Sequence, residues 1–90
     1  MPATQIASAL ECDYLRVLYE LAGRKAKAAV SYGDVKTELG RSAEECDEAC
    51  DFWADRGVVE WTTIGHVALT HLGLRRAERL AGRGWSLSRF

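Results

Sequence analysis

Cys46 and Cys50 stand one helical turn apart, and together with His66 or His71 they are the residues of this 90-residue chain whose types would suit metal ligation. Structural zinc sites usually draw ligand pairs from turns, at spacings of about two to four residues, whereas these two thiols share a helical stripe with Ala49 and Trp53. Free cysteine is among the most often buried residue types. The pair therefore reads as small core residues, and no metal is expected. Cys12 has no partner in sequence, and an odd total of three cysteines argues against a disulfide framework. Catalysis has no other foothold: there is no Gly-rich phosphate loop and no nucleophile-elbow motif. Carboxylates are plentiful, but along an exposed helix face they have no enclosed site to shift their pKa values. The chain is read as a non-enzyme without a cofactor, with His66 an exposed turn residue and His71 a structural one.

Charge carries more information. The formal net charge is only −1, with 12 Lys and Arg against 13 Asp and Glu, but the signs are segregated. Residues 31–60 hold nine acids against three bases, residues 61–90 five arginines against one glutamate, and residues 1–30 four bases against three acids. Opposed blocks of this kind shape local fields and steer association.

Those charges need elements to hold them. Leu10, Tyr14, Val17, Leu18 and Leu21 recur at helical steps and predict a first helix within residues 6–22. Gly23 weakens it, and Arg24-Lys25-Ala26-Lys27 either forms a basic last turn or opens a loop. Val30-Ser31-Tyr32-Gly33-Asp34 reads as a short extended lead-in to a second helix, with Ser31 as N-cap and Asp34 reaching back to it. Val35 and Leu39 face inward there, and Gly40 ends that helix.

Ser42-Ala43-Glu44-Glu45 is a capping box. It predicts a third helix to about Arg56, stopped at Gly57, with Cys46, Ala49, Cys50 and Trp53 inward and Glu44, Asp47, Glu48, Asp51 and Asp55 outward. The period then changes to two. Val58-Val59-Glu60-Trp61-Thr62 and His66-Val67-Ala68-Leu69-Thr70 predict a hairpin around Thr63-Ile64-Gly65, with Gly65 at positive φ. Thr70 then caps a last helix carrying Leu72, Leu74, Ala77, Leu80 and Ala81 and ending near Gly82. Trp85, Leu87 and Phe90 are expected to pack on the body or on a second subunit.

No proline-rich linker or internal repeat divides the chain, so residues 1–90 are read as one domain with a core at about 8–82 and an apolar tail at 83–90. A composition of 48% apolar and 28% charged residues excludes a disordered or fibrous class. No stretch reaches the ~18 apolar residues of a membrane span. Met1-Pro2-Ala3-Thr4-Gln5 lacks the basic start and apolar run of a secretion signal. The expected location is cytoplasmic, away from any membrane.

The order helix, short strand, short helix, Gly turn, capped helix, hairpin, helix resembles a winged helix-turn-helix domain. The resemblance is carried by Leu39-Gly40-Arg41-Ser42, Ala54-Asp55-Arg56-Gly57-Val58-Val59, Thr63-Ile64-Gly65-His66 and Leu69-Thr70-His71-Leu72-Gly73. It implies a mainly α fold with a small β-hairpin: a three-helix core, a wing and a C-terminal helix. The alternative is a small helical bundle with an irregular hairpin.

In such domains the third helix enters the DNA major groove and the wing touches the backbone or minor groove. The resemblance thus implies a duplex DNA-binding transcriptional regulator, dimeric, contacting DNA through Arg41, Ser42 and Ala43 and through Thr62, Thr63 and His66 on the wing. Glu44, Asp47, Glu48 and Asp51 would also face the groove, with Lys25 and Lys27 holding phosphates. Here the sequence departs from the pattern, because phosphate binding rewards Lys and Arg and this helix offers four exposed carboxylates with no base between Arg41 and Arg56.

Arg75, Arg76, Arg79 and Arg83 give the last helix a basic side. That side is either a solvated face or an anion-facing surface. The competing reading is a protein-interaction module in which Glu44, Asp47, Glu48 and Asp51 on one helix and these arginines on another are the working faces. It would act as a homodimer through complementary patches, or as an antirepressor that mimics DNA.

Overall fold

A computed structural model describes residues 9–85 of the chain. Among these residues four helices and three strands follow the order α1 (Ala9–Leu21), β1 (Val30–Ser31), α2 (Tyr32–Leu39), α3 (Ala43–Asp55), β2 (Val59–Thr63), β3 (His66–Leu69) and α4 (His71–Gly82). The fold is mainly helical with a small antiparallel sheet, in the order β1-β3-β2.

β3 is the central strand. Val67 faces Val30 on one side and Trp61 on the other, and His66 faces both Ser31 and Thr63. The β2–β3 register shifts between Trp61 and Thr63, so a bulge bends the hairpin near its tip. Gly65 turns the chain there at φ +79°. His66 is therefore a half-buried residue of β3 rather than an exposed turn residue, and the tip itself is Ile64-Gly65.

The core lies where α1, α3 and the sheet meet, around Tyr14, Leu15, Leu18, Val35, Trp53, Val58, Val67 and Leu69. Trp53 anchors it: its indole is 1% exposed, and Nε1 donates to the Glu11 carbonyl at 2.8 Å. The inward set expected for α3 is buried in full, Cys46, Ala49 and Cys50 beside Trp53.

α1 differs from its expected orientation. Its buried residues are Cys12, Tyr14, Leu15, Leu18 and Tyr19, whereas Leu21 is exposed. The helix meets α2, α3, α4 and β3 together, so its apolar arc is wider than the single stripe chosen from spacing. After it, Gly23, Arg24 and Lys27 take positive φ, which makes the basic segment a loop and not a last helical turn.

Two expected caps behave differently. Ser42 accepts from the Glu45 amide at 3.1 Å while the Glu45 carboxylate accepts from the Ser42 amide at 3.2 Å, a complete capping box. Ser31 occupies the N-cap of α2 without a side-chain bond, and its backbone pairs with β3 as a strand residue. Thr70 caps α4, accepting from the Gly73 amide at 2.9 Å. In α4, Ala77 is buried, but Leu72 is 42% exposed rather than inward. Gly73 is what meets the body there. Trp85 packs edge-on to Tyr19 with ring centroids 5.8 Å apart, as its apolar character suggested; Leu87 and Phe90 lie outside the described residues.

Candidate interaction surface

Gly40 ends α2 in the left-handed region at φ +69°, where glycine avoids the Cβ penalty other residues meet. Arg41 and Ser42 then form a short turn into α3. Arg41, the base expected nearest a DNA phosphate, is held by acids of its own chain. Its guanidinium lies 3.8 Å from Asp13 and 3.5 Å from Glu45. Ser42 is committed to the capping box, and Ala43 is exposed on the first turn.

α3 carries six acids and no base. Two of them are engaged: Glu45 in the cap, and Asp47 by the Tyr32 hydroxyl, which donates to it at 2.7 Å. Glu44, Glu48, Asp51 and Asp55 are exposed, and among the described residues none of them meets a base within ion-pair distance. They recur at steps of four, three and four, one line along the outer side of the helix.

Tyr32 joins that helix to the hairpin. Its ring packs on Trp61 with centroids 5.1 Å apart, while its hydroxyl holds Asp47. Burial, with the bond to Asp47, pushes the phenol above its ordinary pKa. Beyond Trp61, itself 51% exposed, Ile64 is fully exposed at the tip, and Thr62 and Thr63 are exposed with it. Sequence reasoning placed Thr62 and Thr63 here but missed Tyr32, Trp61 and Ile64 as surface. A tyrosine fifteen residues from its carboxylate leaves no local signal.

The bases lie elsewhere or are occupied. Lys27 pairs with Glu60 of β2 at 2.7 Å, fixing the loop after α1 to the sheet. Arg24 pairs with Glu20, and Arg56 lies 3.6 Å over the Phe52 ring while donating to the Phe52 carbonyl. Lys25 is exposed. On α4, Arg75 and Arg79 are exposed and Arg76 half-buried, and none of the three meets an acid within ion-pair distance among the described residues. Arg83, exposed, follows as the C-cap of that helix.

No protein-family model, curated protein or solved structure matches this chain.

The thiols are structural in placement. Cys12, Cys46 and Cys50 are all buried and free, and burial raises each of them above the ordinary thiol pKa. Among the described residues no group of three His, Cys, Asp or Glu side chains is placed to hold a metal ion. The Tyr14 hydroxyl is fully buried beside the Cys50 thiol without a partner in hydrogen-bond geometry, and burial raises its pKa as well. A shallow groove is lined by Arg16, Val17, Glu20, Leu21, Glu38 and Trp85. It holds one arginine against two glutamates and no nucleophile. Among the described residues no helix is long and apolar enough to cross a membrane.

Proposed function

We propose that this chain is a winged helix-turn-helix domain serving as a protein-recognition module, with the outer line of α3 and the hairpin tip as its binding face and a cationic protein surface as its partner. The observation that carries this reading is the state of the charges. Glu44, Glu48, Asp51 and Asp55 are exposed and unpaired among the described residues, while Arg41 and Lys27, two of the three bases expected to touch phosphate, are tied to carboxylates. Nucleic-acid affinity depends on neutralising phosphates with free Lys and Arg. A face with this charge repels a polyanion at all distances within the screening length. The exposed Trp61 and Ile64 add apolar contact of the kind enriched in protein interfaces.

The second reading is a DNA-binding transcriptional regulator. It is favoured by the layout, in which α2, a three-residue turn and α3 are followed by a hairpin whose strand residues Thr62 and Thr63, next to the tip, are exposed. Fold alone does not assign function.

Fluorescence titration separates the two. A lysine-rich peptide is expected to bind at low salt, to weaken as salt is raised, and to lose binding to the Glu48→Lys, Asp51→Lys variant. Random duplex DNA is expected to show no saturable binding under the same conditions. Salt-sensitive binding of the duplex by the unaltered chain, with none of the peptide, would replace the first reading with the second.

A further inference from the structure

We infer that the acidic face of α3 and the hairpin tip is covered by α4 of a second copy of this chain. The inference rests on the protein-recognition reading above and names the partner for that same surface.

The two faces match in three respects. The first is charge. α3 presents four unpaired carboxylates, and α4 presents Arg75, Arg76 and Arg79, which meet no acid of their own chain within ion-pair distance among the described residues. Arg24, Lys27 and Arg41 are paired with acids of their own chain, Arg41 with Glu45 in the first turn of α3 as well as with Asp13. Among the described residues the unpaired acids of α3 and the unpaired arginines of α4 are therefore of opposite sign and are left for contact between molecules.

The second is spacing. Glu44, Glu48 and Asp51 fall at steps of four and three, and Leu72, Arg76 and Arg79 repeat those steps, with Arg75 beside them. Each line spans seven residue steps, about 10 Å of helix at about 1.5 Å per step. Two helices laid side by side can bring successive carboxylates and guanidinium groups opposite one another. Arginine suits this role, because its planar fork meets a carboxylate with two parallel N–H donors.

The third is the apolar part. Trp61 stands exposed against the Tyr32 ring, whose hydroxyl holds Asp47 of α3, and Ile64 is fully exposed at the hairpin tip. Leu72 stands exposed at the start of the basic line. Each helix thus combines a row of one charge with exposed apolar groups, and a partner for the first needs cations together with an apolar contact. α4 offers that combination.

Because every copy carries both faces, the contact is either made twice across a two-fold axis, closing a dimer, or made once in each direction, adding copies head to tail. Complementary charge orients and speeds either arrangement.

The experiment is sedimentation of the full chain over a range of concentrations at low and raised salt, with two variants that reverse one face each. Glu48→Lys, Asp51→Lys makes α3 basic; Arg75→Glu, Arg79→Glu makes α4 acidic. All four positions are exposed, and circular dichroism checks that both variants fold. The unaltered chain is expected to self-associate, with at least a tenfold weaker association at raised salt. Each variant alone is expected to stay monomeric. Mixed in equal amounts they are expected to associate again, because each reversed face then meets its complement. A monomeric unaltered chain at high micromolar concentration and low salt overturns the inference, and so does association that neither reversal changes. Peptide binding by a chain that stays monomeric would leave the recognition reading standing and remove only the second copy as its partner.

Discussion

α3 and α4 hold opposite charges outward, but they are fastened to the body by different means. α3 is held by side chains: Cys46, Ala49, Cys50 and Trp53 are all buried, and the indole of Trp53 reaches the α1 backbone. α4 buries only Ala77 among its side chains in full, with Leu74, Leu80 and Ala81 packed partly against the core, and adds a close backbone approach. A Cβ placed on Gly73 would lie 1.9 Å from the Val58 carbonyl oxygen, and the Thr70 hydroxyl bonds back to the Gly57 and Val58 carbonyls as well as capping the helix. The difference means that the fastening of each charged face can be weakened by one substitution without touching a charge.

The largest effect belongs to α3. Trp53→Ala removes a fully enclosed aromatic side chain and leaves the Glu11 carbonyl without its donor. Substitutions of this kind cost about 3–5 kcal/mol, against a total stability of about 5–15 kcal/mol for an ordinary domain. Chemical denaturation is expected to show a loss in that range. A loss under about 1 kcal/mol would mean that α3 is held mainly by something other than this side chain.

Gly73→Ala tests the other fastening. Alanine favours a helix over glycine by about 1 kcal/mol, so on propensity alone the change would stabilise α4. The Val58 carbonyl is backbone and cannot swing aside, and overpacking of a tight contact costs about 1–3 kcal/mol, more in rigid sites. The clash is expected to win, with a net loss of about 1–2 kcal/mol measured by the same denaturation. Stabilisation would show that α4 shifts outward freely and that the close approach is not what holds it.

The contrast between these helices was only half legible in the sequence. The capping box at Ser42, the cap at Thr70 and the buried set Cys46, Ala49, Cys50 and Trp53 follow from steps of three and four along one segment, and the structure bears them out. The hairpin turn at Gly65 was legible from the change to a period of two and from the positive φ that glycine tolerates. Contacts across long separations were not. Nothing local links Lys27 to Glu60, Arg41 to Asp13, or Tyr32 to Asp47, yet these pairs decide which charges stay free. α1 misled for a different reason: it is apolar on several sides, and which of Leu15, Leu21 and Tyr19 is buried depends on neighbours from four other elements. Leu72 fits the helical stripe of α4 but is half out of the core, because Gly73 brings backbone, not side chain, against Val58.

The smallest effect is the one that bears most on why the acidic face exists. Glu44 and Glu45 lie in the first turn of α3, where carboxylates complement the positive end of the helix dipole. Asp55 is the last residue of the same helix, and no base occupies that last turn. α4, by contrast, carries Arg79 in its last turn, the favourable arrangement. The acidic line therefore continues past the point where it helps its own helix. Asp55→Lys is expected to raise stability by about 0.3–1 kcal/mol at low ionic strength, a gain that shrinks as salt screens it. A thermal midpoint a few degrees higher would register it in a domain of this size. In the same variant, self-association is expected to weaken. Opposite movement of the two quantities would identify Asp55 as a charge held against local stability for the sake of contact. Unchanged stability with unchanged association would make the far end of the acidic line a solvated face and confine the contact surface to Glu44, Glu48 and Asp51.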